Sequence, residues 1–212
     1  MTATVHVVDD DASWRKSVAR LLSTVGHRVV QYESAGQFLE TAELDAPGCI
    51  LLDMRMPEIT GLQLQQRLAG MQHALPTVFV SGHGDIPTSV LAMKAGAENF
   101  LTKPVDTEEL LRVVQEAITR DREARAVRRH LDVLRSRVHG LTPTERKVFA
   151  LVVRGKLNKQ IADELGSTER TIKWHRHNLM EKLQVQSLAE LVSLAERLGL
   201  LGEDDHPNSR SG

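Results

Sequence analysis

The chain has 212 residues, a formal net charge of −1, an ordinary apolar share and one cysteine, which suits a globular protein of one large or two small domains. The lone Cys49 excludes a disulfide scaffold and no apolar run approaches the ~18 residues of a membrane span; Met1-Thr2-Ala3-Thr4 lacks the basic and apolar regions of a signal peptide, so a reducing cytoplasm is expected. The charge is divided, with 9 Lys and Arg against 15 Asp and Glu through Thr119 and 18 against 13 from Arg120 onward, so the second half is the one suited to nucleic acid.

In chain order, Val5–Asp9 reads as a strand and Ala12–Val25 as a helix, since Val18, Leu21, Leu22 and Val25 repeat at helical spacing and Gly26 closes it. Arg28–Tyr32 is a second strand, and Ser34 can cap a short helix through Ala42. The wholly apolar Cys49-Ile50-Leu51-Leu52 reads as a strand buried on both faces, ending in Asp53. A helix at Leu62–Met71, a strand at Thr77–Ser81, a helix at Pro87–Ala95, a short strand at Asn99–Leu101 and a helix from about Glu108, capped by Thr107, complete a strict β/α alternation. That alternation predicts an α/β fold, a doubly wound five-stranded parallel sheet.

The last of these helices is expected to continue. Ala124, Val127, Leu131, Leu134, Val138 and Leu141 follow one another at spacings of three and four, a heptad seam interspersed with arginines. Two readings stay open: a linker pairing in parallel in a dimer, or a single helix packing this stripe on a neighbouring domain. Thr142-Pro143-Thr144-Glu145 has the spacing of a capping box and restarts the chain as four helices near Thr144–Arg154, Lys159–Leu165, Glu169–Leu183 and Leu188–Leu198, with Thr168 and Ser187 as caps. The polar tail Gly202–Gly212 is expected to be disordered.

In open parallel sheets, function gathers at the carboxyl ends of the strands. Here the first strand runs into Asp9-Asp10-Asp11, the third into Asp53, the fourth into Ser81-Gly82 and the fifth into Thr102-Lys103-Pro104. For one such acid, a capped and solvated strand end would suffice; the four ends together make that reading unconvincing. The set, with Asp53-Met54-Arg55-Met56-Pro57 and Gly61, resembles the receiver domain of two-component response regulators over about the first 120 residues. The resemblance implies that Asp53 accepts a phosphoryl group as a carboxylate nucleophile. It implies a Mg²⁺ site made by Asp10 and Asp53 directly, Asp9 through water, and the backbone carbonyl of Arg55. It further implies that Lys103 supplies a fixed positive charge, that Lys103-Pro104 is cis, that Ser81 donates to a phosphoryl oxygen, and that Phe100 turns inward as the switch residue. Asp11 gets no role beyond a solvated helix start. A phosphatase of the haloacid-dehalogenase type would carry a second Asp two residues after the nucleophile; Arg55 stands there instead, so no enzyme is expected beyond slow phosphoryl transfer to itself and self-dephosphorylation.

In the basic half, Asn158-Lys159-Gln160-Ile161-Ala162 followed by Thr171-Ile172-Lys173-Trp174-His175 resembles the LuxR-type helix-turn-helix of the FixJ/NarL family, over about Leu141–Leu198. On a wheel of 100° per residue, Ile172, Leu179 and Leu183 fall within about 20° of one direction, with Arg170, Lys173, Trp174 and His177 away from it. A Trp among cations on a polar face is odd for a core and natural for a helix in a major groove. By the resemblance, Lys173, Trp174 and His177 read base edges, while Lys159, Thr168, His175 and Arg176 contact phosphates. Ser167 departs from the family, which usually has an apolar turn residue there.

The resulting expectation is a cytoplasmic transcription regulator with a receiver at 1–119, a helical linker at 120–140, a DNA-binding domain at 141–201 and a tail at 202–212. A sensor histidine kinase would phosphorylate Asp53, and the homodimer formed on phosphorylation would bind promoter DNA and work with RNA polymerase, with no membrane partner. The competing expectation is a dimeric DNA-binding regulator that needs no phosphorylation, its receiver a scaffold or ligand sensor.

Overall fold

The computed structural model describes residues 2–70, 75–82 and 86–201, with side chains throughout except at 86–88. Buried apolar runs alternate with amphipathic helices, and the first half forms β1 (Thr4–Val8), α1 (Ala12–Thr24), β2 (Arg28–Tyr32), α2 (Ala35–Thr41), β3 (Gly48–Asp53), α3 (Gly61–Ala69), β4 (Thr77–Ser81), α4 (Ile86–Lys94) and β5 (Asn99–Thr102). The strands make one parallel sheet in the order β2-β1-β3-β4-β5. The order turns back at β1, so the ends of β1 and β3 flank the switch point where a doubly wound sheet opens its crevice.

Because side chains alternate along a strand, each strand feeds two cores. Val5, Val7, Cys49, Leu51, Val78 and Val80 face α1 and the next helix, α5 (Thr107–His139), while Ile50, Leu52 and Phe79 face the side of Phe38, Leu64 and Leu68. Such double burial is why β3 has no polar residue before Asp53.

The helix starts follow capping chemistry. Asp11 accepts from the Ser13 and Trp14 amides at 2.8 and 3.2 Å and caps α1, a definite use for an acid that the sequence left as solvated. Thr60 and Gln63 form a capping box on α3. At α5 the cap is Asp106, whose Oδ1 accepts from the Glu109 amide at 3.0 Å; Thr107, expected as the cap, is already the first helical residue.

α5 runs unbroken from Thr107 to His139. The chain divides into two compact units, 1–126 and 127–212, within this helix. In the second unit, α6 (Pro143–Val153), α7 (Asn158–Glu164), α8 (Glu169–Leu183) and α9 (Leu188–Arg197) surround a core of Val148, Phe149, Ile161, Ile172, Leu179, Leu183, Leu191 and Leu194. Leu134 and Leu141 are buried in that core with Val138 packed against it, so the C-terminal part of the predicted seam is spent inside this unit, whereas Val127 is 58% exposed. No described helix is long and apolar enough to cross a membrane. The loop expected at His83–Asp85, the end of the third helix at Met71 and the tail from Gly202 lie outside the described residues.

Candidate functional site

The carboxyl ends of β1, β3, β4 and β5 bring together the residues expected there. Lys103, on the segment leaving β5, places its Nζ 2.6 Å from Asp9 Oδ2 and 2.9 Å from Asp53 Oδ1, bridging the two acids. Its backbone N–H donates to the Ser81 carbonyl at 2.8 Å, the Lys103-Pro104 peptide is cis, and its ammonium lies 4.5 Å from the Trp14 ring centroid. The other oxygen of each acid is also held. Asp9 Oδ1 accepts from the Asp11 amide at 2.8 Å, and Asp53 Oδ2 accepts from the Arg55 amide at 2.6 Å. Arg15 Nη1 donates to the Asp9 carbonyl at 2.5 Å.

Burial sets the electrostatics. Asp9 is fully buried, which raises its pKa above the carboxylate range even though the hydrogen bond from Lys103 pulls the other way. Burial would lower the Lys103 pKa, but its hydrogen bonds to Asp9 and Asp53 outweigh that and raise it, so Lys103 stays cationic. Two carboxylates therefore share one compensating charge, and the site has room for more positive charge.

Ser81 is buried at the end of β4, and Phe100 is half-buried on β5 against the core on the α3 side. Asp10 and Arg55 are exposed at the rim. Among the described residues no group of three or more His, Cys, Asp or Glu side chains stands close enough to hold a metal, so Asp10 is not gathered with Asp9 and Asp53. The donor chemistry still fits Mg²⁺, since Asp9, Asp53 and the Arg55 carbonyl offer the oxygens that a hard cation takes, in a pocket short of positive charge. Trp14 and Arg15 were not singled out in the sequence; they sit on the first turn of α1, where only the fold reveals that they face the acids.

In the second unit, α8 buries Ile172, Leu179 and Leu183 and exposes Arg170, Lys173, Trp174 and His177, with Trp174 59% exposed. Lys159 is exposed on the first turn of α7. Two expected phosphate contacts have local bonds: Thr168 Oγ1 caps α8 through the Thr171 amide at 3.2 Å, and Arg176 Nη1 donates to Asn158 Oδ1 at 2.7 Å. His175 packs edge-on to Trp174 at 4.9 Å, and its Nδ1 is buried with no hydrogen-bond partner among the described residues. His177 lies 3.6 Å from Glu181, which shares the outer face. The far end of α8 is anchored by Lys182, which donates to both oxygens of Glu145 at 2.8 and 2.7 Å. Burial alone would raise the Glu145 pKa, but Lys182 and the Thr142 amide outweigh it and lower it. The capping-box reading of Glu145 did not include this second partner, which comes from 37 residues away.

Comparison with known proteins agrees with both units. The description "Response regulator receiver domain" matches residues 5–115, and "Bacterial regulatory proteins, luxR family" matches residues 139–195. The chain is 43% identical to Nodulation protein W of Bradyrhizobium diazoefficiens, over 93% of this chain and 87% of that protein. It is 40% identical to the response regulator protein TodT of Pseudomonas putida, over 92% and 86%. It is 38% identical to the transcriptional regulatory protein FixJ of Bradyrhizobium diazoefficiens, over 94% and 97%. Among solved structures, the response regulator StyR aligns with a TM-score of 0.82 at 45% identity, covering 93% of this chain and all of that one. Full-length FixJ from B. japonicum aligns with a TM-score of 0.57 at 37% identity, covering 95% of this chain and all of that one.

Proposed function

The chain belongs to the response regulators that join a receiver domain to a LuxR-type DNA-binding domain, and from that premise we propose that Asp53 is the phosphoacceptor whose modification by a sensor histidine kinase turns on promoter binding. The observation that carries this reading is the Lys103 ammonium, held between Asp9 and Asp53 at the ends of three strands. A carboxylate oxygen of Asp53 attacks phosphorus as the bond to the donor's histidine nitrogen breaks, leaving an acyl phosphate. The Arg55 amide keeps the carboxylate oriented, and Lys103 exchanges its bond to Asp53 for one to the new phosphoryl oxygens. Asp10, Asp53, the Arg55 carbonyl and, through water, Asp9 would hold Mg²⁺, which would supply the remaining positive charge.

Ser81 then donates to the phosphoryl group, and Phe100 moves into the space that opens. The homodimer that follows presents two copies of α8 to a two-fold operator. Lys173, Trp174 and His177 read base edges, aided by Arg170; Lys159, Thr168, His175 and Arg176 position the helix on phosphates. The protein works in the cytoplasm with RNA polymerase, activates transcription, and has no catalytic turnover beyond slow loss of its own phosphoryl group. Residues 1–119 act as receiver, 120–140 as linker, 141–201 as the DNA-binding domain and 202–212 as a tail. A strong linker seam would favour the phosphorylation-independent reading, and the burial of Leu134 and Leu141 shortens what a second copy could pair with.

The test is oligomeric state and DNA affinity at fixed salt, with and without Mg²⁺ and beryllofluoride, for the wild type and Asp53→Asn. Dimerisation and tighter binding in the wild type alone support the switch. Two proteins already dimeric, with equal affinity in every condition, would overturn it.

A further inference from the structure

α5 keeps its hold on the sheet past the point where receiver similarity ends. That similarity stops at residue 115, while the first compact unit continues to Ala126. Ala117 and Ile118 are the last of its residues in the apolar core, and past them the stretch is held by charged groups at the end of β3 opposite Asp53. Asp121 is 2% exposed, and its Oδ2 accepts from the Gly48 amide at 3.0 Å and from Arg125 Nε at 2.7 Å. Arg125 spends its remaining arms on the same loop, with Nη1 donating to the Asp45 carbonyl at 2.6 Å and Nη2 to the Leu44 carbonyl at 2.7 Å. One turn earlier, Arg120 pairs with Glu98 at 2.8 Å where the chain enters β5.

A buried ion pair adds little net stability, because desolvating two charges offsets their attraction. It does fix geometry. A guanidinium whose three nitrogens meet three separate acceptors has one fit, which a lysine does not reproduce. The strand gripped here at Gly48 is the strand that ends in Asp53. We infer that Asp121 and Arg125 are positioning residues that make residues 120–126 a rigid extension of the receiver, so that a change at the Asp53 end of β3 is passed on along α5. The second half of this inference rests on Asp53 being the phosphoacceptor; the first half does not.

The test uses the full chain as wild type, Arg125→Ala, Arg125→Lys and Asp121→Asn. Backbone hydrogen exchange is read over residues 116–139, and DNA affinity is read with and without Mg²⁺ and beryllofluoride. In Arg125→Ala, amides at 120–126 are expected to exchange roughly tenfold faster. The gain in DNA affinity with beryllofluoride should shrink by about fivefold or more, while affinity without it stays unchanged. Arg125→Lys should not restore either signal, which separates the fork from mere charge; should Arg125→Ala fail to fold, Asp121→Asn carries the same expectations. Unchanged exchange at 120–126, or a full affinity gain in these folded variants, overturns the inference. If the wild type itself shows no gain, the phosphoacceptor reading fails, and the exchange data still decide whether the extension is rigid.

Discussion

Gly61 passes so close beneath the end of β3 that a Cβ on it would stand 2.2 Å from the Asp53 carbonyl oxygen, and 3.1 Å from Phe79 Cε1. No side chain fits there without moving the strand that carries the acid. The Gly61 amide also donates to the Met54 carbonyl at 3.2 Å, closing the loop that sets Arg55 against Asp53. Gly61→Ala is therefore expected to cost about 1–3 kcal/mol, the range for overpacking a filled site. It should also weaken beryllofluoride binding, because the strand end must give. Denaturant unfolding and a beryllofluoride titration check both, and a variant with wild-type stability and affinity would show that the loop yields without consequence.

Asp9 is destabilising as a buried anion. Its folded pKa lies above its ordinary value, so the fold prefers the protonated form. Stability from this group therefore falls as pH rises from the ordinary carboxylate pKa through the raised one, because burial outweighs its ion pair with Lys103, the reverse of an acid whose ion pair outweighs its burial. At neutral pH, Asp9→Asn is expected to raise the melting temperature of the metal-free protein, and Mg²⁺ is expected to stabilise the wild type more than this variant. Calorimetry with and without Mg²⁺ measures both, and an Asp9→Asn variant that melts lower than the wild type in the absence of metal would contradict the assignment of cost to this carboxylate.

His6 gives the receiver a pH dependence of opposite sign. It is 2% exposed, shares a 2.9 Å hydrogen bond with the Tyr32 hydroxyl, and has its pKa lowered to about 4 by burial, with Arg28 contributing. The unfolded chain protonates this ring near pH ~6.5 and the folded one only near pH 4, so stability is fully present above the first value and is lost as pH falls toward the second. The loss is on the order of 3 kcal/mol. His6→Asn should flatten the slope of unfolding free energy over that window, whatever it does to the absolute value, and an unchanged slope would place the titration elsewhere.

How much of this was readable in advance depends on how local the signal was. The apolar run ending in Asp53, the Ser81 and Lys103 strand ends and the two faces of α8 are properties of short stretches, and the structure sets them where the patterns indicated. The linker was not readable in the same way. A heptad stripe looks the same whether its partner is a second copy or the chain's own core, and only the fold shows Leu134 and Leu141 inside the second unit. Asp121 and Arg125 stand four residues apart, a spacing that solvated helix faces also carry, so nothing local singles them out. Their burial depends on Leu44, Asp45 and Gly48 coming back to α5 from more than 70 residues away, which no local pattern encodes. Asp11 was a third acid among solvated ones until the start of α1 turned it into a cap.

The exposed face of α8 separates two kinds of DNA contact, and they respond differently to salt and to sequence. Lys173 and Trp174 are exposed on the second turn of α8, away from the direction of the buried Ile172 and Leu179, so they are placed to meet base edges, whereas Lys159 lies on the first turn of α7. A base contact discriminates between operators, and a phosphate contact does not. Lys173→Ala is expected to cost about 1–3 kcal/mol on the specific site and little on unrelated DNA. Lys159→Ala should weaken both by a similar factor and reduce the slope of log affinity against log salt by about 1. Because Lys182 and the α6 capping box brace the helix through Glu145, neither substitution should lower the stability of the second unit. Competition binding on an operator and a scrambled duplex across a salt series gives all of these quantities. If Lys173→Ala lost affinity equally on both duplexes, Lys173 would be a phosphate contact, and reading of bases would fall to Trp174 and His177.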